Sequence, residues 1–198
     1  MVGLVEDMRR IIQHGFKRDG DLIALLGTTG EDLSISQFAS TIEGRTTEEM
    51  IERGSVPVLD LERERAVQEA ALRAAESGLL RSAHDCSDGG LAVALAECCF
   101  SSLNRSAIGA QIELNEGLSV NASLFAESPS RIIISLDEAA LGEMQEIATR
   151  CGSPLMLLGR TGGSNLLIQS GGETVIDLPV KELETTWRTS LSDRLQAN

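Results

Sequence analysis

Residues 60–100 read DLERERAVQEAALRAAESGLLRSAHDCSDGGLAVALAECCF, and the order of patterns inside this stretch decides the fold. From Asp60, apolar Leu61, Ala66, Val67, Ala70, Ala71, Leu72, Ala74 and Ala75 recur at helical spacing, while Glu62, Arg63, Glu64, Arg65, Glu69 and Arg73 fill the other face. Asp60 has the short acceptor side chain of an N-cap, and Gly78 stands where a left-handed C-cap is wanted. Leu79–Ala83 predicts a short strand. His84-Asp85-Cys86-Ser87-Asp88-Gly89-Gly90 follows as a loop, and Leu91–Phe100 predicts a second, more apolar helix.

The same alternation continues outward. Asp21–Leu26 (DLIALL), closed by Gly27, predicts a buried strand, and Ser34–Ile42 a short helix. Gly44–Pro57 is polar and charged and is expected to be exposed. Ala110–Leu114 alternates like a half-buried strand, Arg131–Leu136 is β-branched, and Asp137–Arg150 is an amphipathic helix. Leu155–Leu158 and Leu166–Ile168, separated by Gly162-Gly163, predict a hairpin. Thr174–Leu178 is a further strand, and Val180–Leu195 a closing helix. Hairpins mixed with helical crossovers predict an α+β sheet layered with helices. Val2–Val5 is strand-like, with a short helix or turn over Glu6–Gln13.

Composition narrows the function. Seventeen basic and 30 acidic residues, a formal charge of -13, oppose binding to a nucleic-acid backbone. The only lysines, Lys17 and Lys181, lie outside glycine-rich runs, which excludes a Walker-type phosphate loop. No apolar run approaches the ~20 residues of a membrane span. Cys86, Cys98, Cys99 and Cys151 show no metal-type spacing, and a reducing cytoplasmic setting is expected.

The chemistry concentrates in Asp85–Gly90. A helix start offers unpaired amides that attract anions, and Gly89 and Gly90 leave room for a ligand near the backbone. Asp85 and Asp88 would repel a bare phosphate, so a nucleotide there needs a hard cation such as Mg²⁺. Ordinary capping by Ser87 or Asp88 is the competing reading. Ahead of the strand at Arg131–Leu136, Glu127 and Ser128 could hold a polar ligand and Arg131 an anion, against a solvated turn with Arg131 paired to an acid. His84 is expected to be a hydrogen-bonded structural residue, with His14 still less involved. Gly159–Gly163 suits a hairpin turn, and acidic neighbours make Cys86 a poor nucleophile.

Taken together, LDLERERAVQEAALRAAESGLLRSAHDCSDGGLAVALAECC (59–99), SLFAESPSRIIISL (123–136) and LLGRTGG (157–163) resemble the C-terminal region of the phosphoribosylformylglycinamidine synthase family. The HDxSDGG form is similar to the second of two copies of a domain shared with aminoimidazole ribonucleotide synthase. The resemblance implies a three-layer α/β/α domain with a mixed sheet, partly ferredoxin-like. GLVEDM at residues 3–8 is similar to the end of a preceding ATP-binding domain. Residues 1–20 are therefore expected to be a remnant of that domain with a linker, and 21–198 the C-terminal domain. The implied reaction is the ATP- and glutamine-dependent conversion of formylglycinamide ribonucleotide to its amidine, with Mg²⁺ and ATP/ADP as cofactors. Implied partners are the rest of the synthase chain and a glutaminase domain or subunit. By the same resemblance Asp85 binds Mg²⁺, Ser87, Gly89 and Gly90 contact nucleotide, and Glu127 and Ser128 contact substrate. The isolated 198 residues are expected to be inactive. Leu33–Phe38 stands where the family often has a GGSEY-like stretch, and Ala126 where it usually has Gly. The alternatives are a non-catalytic structural domain of that assembly, or a sister enzyme such as thiamine-monophosphate kinase.

Overall fold

A computed structural model describes residues 4, 7–8, 11–102, 104–114 and 117–196. Apart from Leu4, the strand-like Val2–Val5 lies outside the described residues, as do Glu6, Arg9 and Arg10 of the expected helix or turn. Among the described residues seven strands form one sheet: β1 Leu22–Leu26, β2 Leu80–Asp85, β3 Ala110–Leu114, β4 Ile132–Leu136, β5 Leu155–Thr161, β6 Asn165–Ser170 and β7 Glu173–Pro179. Their order is β2-β4-β1-β5-β3-β6-β7. The sheet is mixed, since β3 runs parallel to β6 while the other pairings are antiparallel.

Among the described residues seven α-helices cover it: α1 Gln37–Thr41, α2 Thr47–Arg53, α3 Leu61–Glu76, α4 Gly90–Cys99, α5 Val120–Phe125, α6 Leu141–Cys151 and α7 Val180–Gln196. Alternation along the central strands divides the core in two. Leu22, Ala24 and Leu26 of β1, with Ile134 and Leu136 of β4, pack against Val67, Ala70 and Ala74 of α3 and Met144 and Ile147 of α6. Ile23 and Leu25, with Ile133, turn the other way, onto Leu91, Leu95, Cys98 and Cys99 of α4, Leu124 of α5 and Val180 of α7. This is a three-layer α/β/α arrangement. The core is nearly free of aromatics, as the composition requires, and Cys98 and Cys99 are fully buried.

Local chemistry accounts for the helix ends. The Asp60 carboxylate accepts from the amides of Glu62 at 3.0 Å and Arg63 at 3.1 Å, and Gly78 takes the left-handed φ of +70° beyond the α3 end. The exposed Gly44–Pro57 region contains α2, which the sequence reading passed over although Thr46 and Glu49 spell a capping box. It also missed α5, which Ser119 caps by accepting from the Ala122 amide at 3.2 Å.

The expected hairpin between Leu155–Leu158 and Leu166–Ile168 is not formed. β3 slides between β5 and β6, pairing antiparallel with one and parallel with the other. Gly109, just ahead of β3, exchanges backbone hydrogen bonds with the intended turn, Gly109 N to Gly163 O at 2.9 Å and Gly162 N to Gly109 O at 2.8 Å. Burial of Ala110, Ile112 and Leu114 favours this insertion over a local turn. Gly159-Arg160-Thr161 accordingly belongs to β5 rather than to a turn.

Ile134 is fully buried in the α3–α6 half of the core, so Ile134→Ala should destabilise the fold by roughly 2–5 kcal/mol. Asp60→Ala should cost about 1 kcal/mol through the lost cap. Urea unfolding followed by circular dichroism checks both values and their order.

Candidate functional site

Sheet register brings three separate chain segments to one place. β4 runs antiparallel to its neighbours on both sides, and Ile132 at its start pairs with Leu26 of β1 and Asp85 of β2. The loop after β1, the Asp85–Gly90 loop after β2 and the 126–131 loop before β4 therefore meet at one sheet end. Two glycines allow them to touch. A Cβ on Gly27 would fall 2.0 Å from the Ser130 carbonyl oxygen, and one on Gly90 2.7 Å from that of Ala126. Both residues also hold positive φ, +95° and +68°.

Arg131 lies beneath the loop, only 3% exposed. Its Nε donates to the Ser128 carbonyl at 2.9 Å, Nη2 to that of Ala126 at 2.6 Å and Nη1 to Thr29 Oγ1 at 3.1 Å. It thus gathers carbonyls and a hydroxyl, where the sequence offered an acid or an anion as its partner. Burial lowers its pKa from the ordinary guanidinium value.

The expected site residues Asp85, Ser87, Gly89, Gly90, Glu127 and Ser128 all gather at this end, in different states. The Asp85 side chain is 69% exposed and accepts the Ser87 hydroxyl on Oδ2. That hydrogen bond, the largest influence, holds its carboxyl below the usual carboxylate range. Gly89 and Gly90 are buried. The Gly89 amide donates to Glu127 Oε1 at 2.9 Å and the Gly90 amide to the Ser87 carbonyl at 3.0 Å. Neither the Ser87 nor the Asp88 side chain caps α4, so the expected capping is not found; Gly89 is the N-cap residue. Ser128 is buried, accepting from the Gly30 amide at 2.8 Å and donating to Asp32 Oδ2 at 2.5 Å.

Gly30, Asp32 and Gln37 are site residues that sequence reasoning missed. The only hint was that this region departs from the family pattern. A cavity of about 190 Å³ opens here, lined by Thr28, Thr29, Asp32, Arg63, Ser128 and Ser130 among others. Ser130 has a φ of +60°, and its buried Oγ has no hydrogen-bond partner among the described residues.

Hard oxygen donors at Asp85 and Ser87 suit Mg²⁺. Among the described residues no group of three or more His, Cys, Asp or Glu side chains could hold a metal alone. A cation beside Asp85 would therefore take further oxygens from a ligand, which is the usual habit of Mg²⁺ at phosphates. Cys86 is no nucleophile, because burial pushes its thiol up to about 11.

His84 is structural, as expected. Its Nε2 lies 2.9 Å from Glu97 Oε2 and its Nδ1 3.5 Å from Asp85 Oδ1. The Glu97 hydrogen bond, the largest cause, raises its pKa despite burial. His14, with ring centroid 5.3 Å from that of His84, is shifted down by burial and then by the His84 charge.

With this geometry in view, comparison defines the class. The chain belongs to the family of AIR synthase related proteins, C-terminal domain, whose model matches residues 18–168. Within that class, it is 41% identical over 194 residues to phosphoribosylformylglycinamidine synthase subunit PurL of Anaeromyxobacter sp. (strain Fw109-5), covering 95% of this chain and 24% of the relative. Among solved structures, T. maritima PurL complexed with FGAR matches with a TM-score of 0.74 and 23% identity, over 89% of this chain and 30% of that one. T. maritima PurL complexed with ATP matches with a TM-score of 0.71 and 19% identity, over 89% and 28%. These likenesses establish the fold. The chain spans about a quarter of the length of the curated relatives it matches.

The His84 shift sets a pH dependence. Its folded pKa lies above the unfolded value of about 6.5, so its protonation stabilises the fold fully below that pH. The contribution is lost as pH rises through the raised folded value. In an NMR titration His84 should titrate above His14, and Glu97→Gln should bring the His84 midpoint down.

Proposed function

We propose that this chain is the C-terminal module of an ATP- and glutamine-dependent ligase that converts formylglycinamide ribonucleotide to formylglycinamidine ribonucleotide in purine biosynthesis. Its contribution is a Mg²⁺–nucleotide half-site. The observation that carries this reading is the Asp85–Ser87 pair, an exposed, ionised carboxylate with a hydroxyl partner on a family domain whose relatives are PurL subunits.

In this reading Asp85 would hold Mg²⁺, which would supply the positive charge that lets nucleotide phosphates lie near a carboxylate. Ser87 orients Asp85. Gly89 and Gly90 shape the approach, since their amides already have partners. Ser128, with Asp32 and Gly30, lines the small cavity at the same end of the sheet. Thr28 and Thr29 give that cavity a polar lining able to orient the substrate or nucleotide.

The remaining catalytic groups come from an ATP-binding domain, of which residues 1–20 are the end, and ammonia from a glutaminase domain or subunit. Residues 21–198 are then the C-terminal domain. An apolar surface supports such partners: Ile51, Val56, Val58 and Leu61 are each more than 70% exposed in one stretch of chain. Four free thiols agree with a cytoplasmic location, and among the described residues no helix is long and apolar enough to cross a membrane.

Thermal unfolding with Mg²⁺-ADP tests the half-site. Saturation at about 100 times Kd should add ~2.7 kcal/mol of stability. The gain should require Mg²⁺ and vanish in Asp85→Ala; an unchanged gain in that variant sinks the assignment. The purified chain should form no amidine from ATP, glutamine and formylglycinamide ribonucleotide.

A further inference from the structure

The Glu127 carboxylate is held from two sides. Its Oε1 accepts the Gln37 amide at 2.7 Å and the Gly89 amide at 2.9 Å. Gln37 opens α1 and Gly89 is the N-cap residue of α4, so one oxygen joins the starts of two helices that lie far apart in the chain. The α4 start has no side-chain cap of its own, and Glu127 serves it from 38 residues away. Two further bonds follow the same line. The Glu127 amide donates to the Asp32 carbonyl at 3.1 Å, and the Gly30 amide donates to Ser128 Oγ at 2.8 Å. The segment 30–37 is thereby pinned at three points to residues 127–128, and through Glu127 to the end of the Asp85–Gly90 loop.

We infer that Glu127 is a positioning residue, fixing the Asp85–Ser87 pair relative to the cavity walled by Thr28–Asp32 and Ser128–Ser130. This rests on the nucleotide reading of that pair, and it replaces the substrate contact expected for Glu127 from the family resemblance. A carboxylate already bound to two helix-start amides has little reason to leave them for a ligand, and its charge repels a second anion from the same amides. Ligand phosphates are therefore held through Asp85 and its cation, away from the Gly89 amide.

Amide hydrogen exchange at Gln37 and Gly89, resolved by NMR, and Mg²⁺-ADP affinity should be measured on the 198-residue chain. The variants are Glu127→Ala, Glu127→Gln and Asp85→Ala. Glu127→Ala should lose protection at both amides together, by roughly tenfold or more, and bind Mg²⁺-ADP about tenfold more weakly. Glu127→Gln keeps an oxygen able to accept both amides, so it should preserve their protection and hold affinity within about threefold. Affinity lost in Glu127→Gln while both amides stay protected would mean that the carboxylate touches the ligand, which overturns the inference. Protection lost at one amide without the other overturns it as well. If Glu127→Ala does not fold, Glu127→Gln decides by the same two readouts. Absence of any Asp85-dependent binding in the parent chain defeats the nucleotide reading separately, and the joint exchange behaviour then decides the tie.

Discussion

A guanidinium buried where solvent cannot reach it organises the functional end of the sheet. Arg131 holds two carbonyls of its own loop and a hydroxyl of the loop after β1. Removing that side chain would leave the Ala126 and Ser128 carbonyls without this donor in a dry setting, at a cost of order 1–3 kcal/mol for each group left unpaired. The loop it shapes carries the backbone against which Gly27 and Gly90 pack, so the approach of all three segments depends on it. The compactness of the site thus follows from a cation whose partners are mostly neutral backbone oxygens.

The position of the polar groups follows from strand direction. With β4 antiparallel to both neighbours, the outgoing ends of β1 and β2 and the incoming end of β4 must coincide. Residues far apart in sequence become neighbours without any long connection crossing the domain. The exposed groups, Asp85, Ser87 and Asp88, come from a single loop. Those that are buried or half-buried, Ser128, Glu127 and Asp32, bond mainly with one another or with backbone amides. A division results between an exposed part and a buried part that supports it.

Much of the fold was legible because burial writes itself as periodicity. β3 was bounded to the residue, and the start of α3 was readable from Asp60, because each rests on local chemistry or strict alternation. The hairpin failed for a different reason: pairing between strands is a competition, and β3 won it through backbone bonds at Gly109 that no local pattern encodes. At the site the residue types were readable and their partners were not. Glu127 could be read as a candidate ligand contact from its place ahead of a strand, whereas the two amides it accepts, 90 and 38 residues away, could not be read at all. The position of Arg131 before an apolar strand could equally have announced burial.

β1 is apolar throughout and buried on both faces, with its hydrogen-bonding partners, β4 and β5, drawn from the distant second half of the chain. Roughly a hundred residues separate Leu26 from Ile132. At synthesis rates of about 5–20 residues per second, the strand spends on the order of 5–20 s outside the ribosome with neither edge paired. Such a segment is the part of the chain most exposed to wrong pairing, and it becomes safe only when β4 arrives. Shielding of LIALL during translation is thus a demand set by the topology of the domain rather than by its final stability.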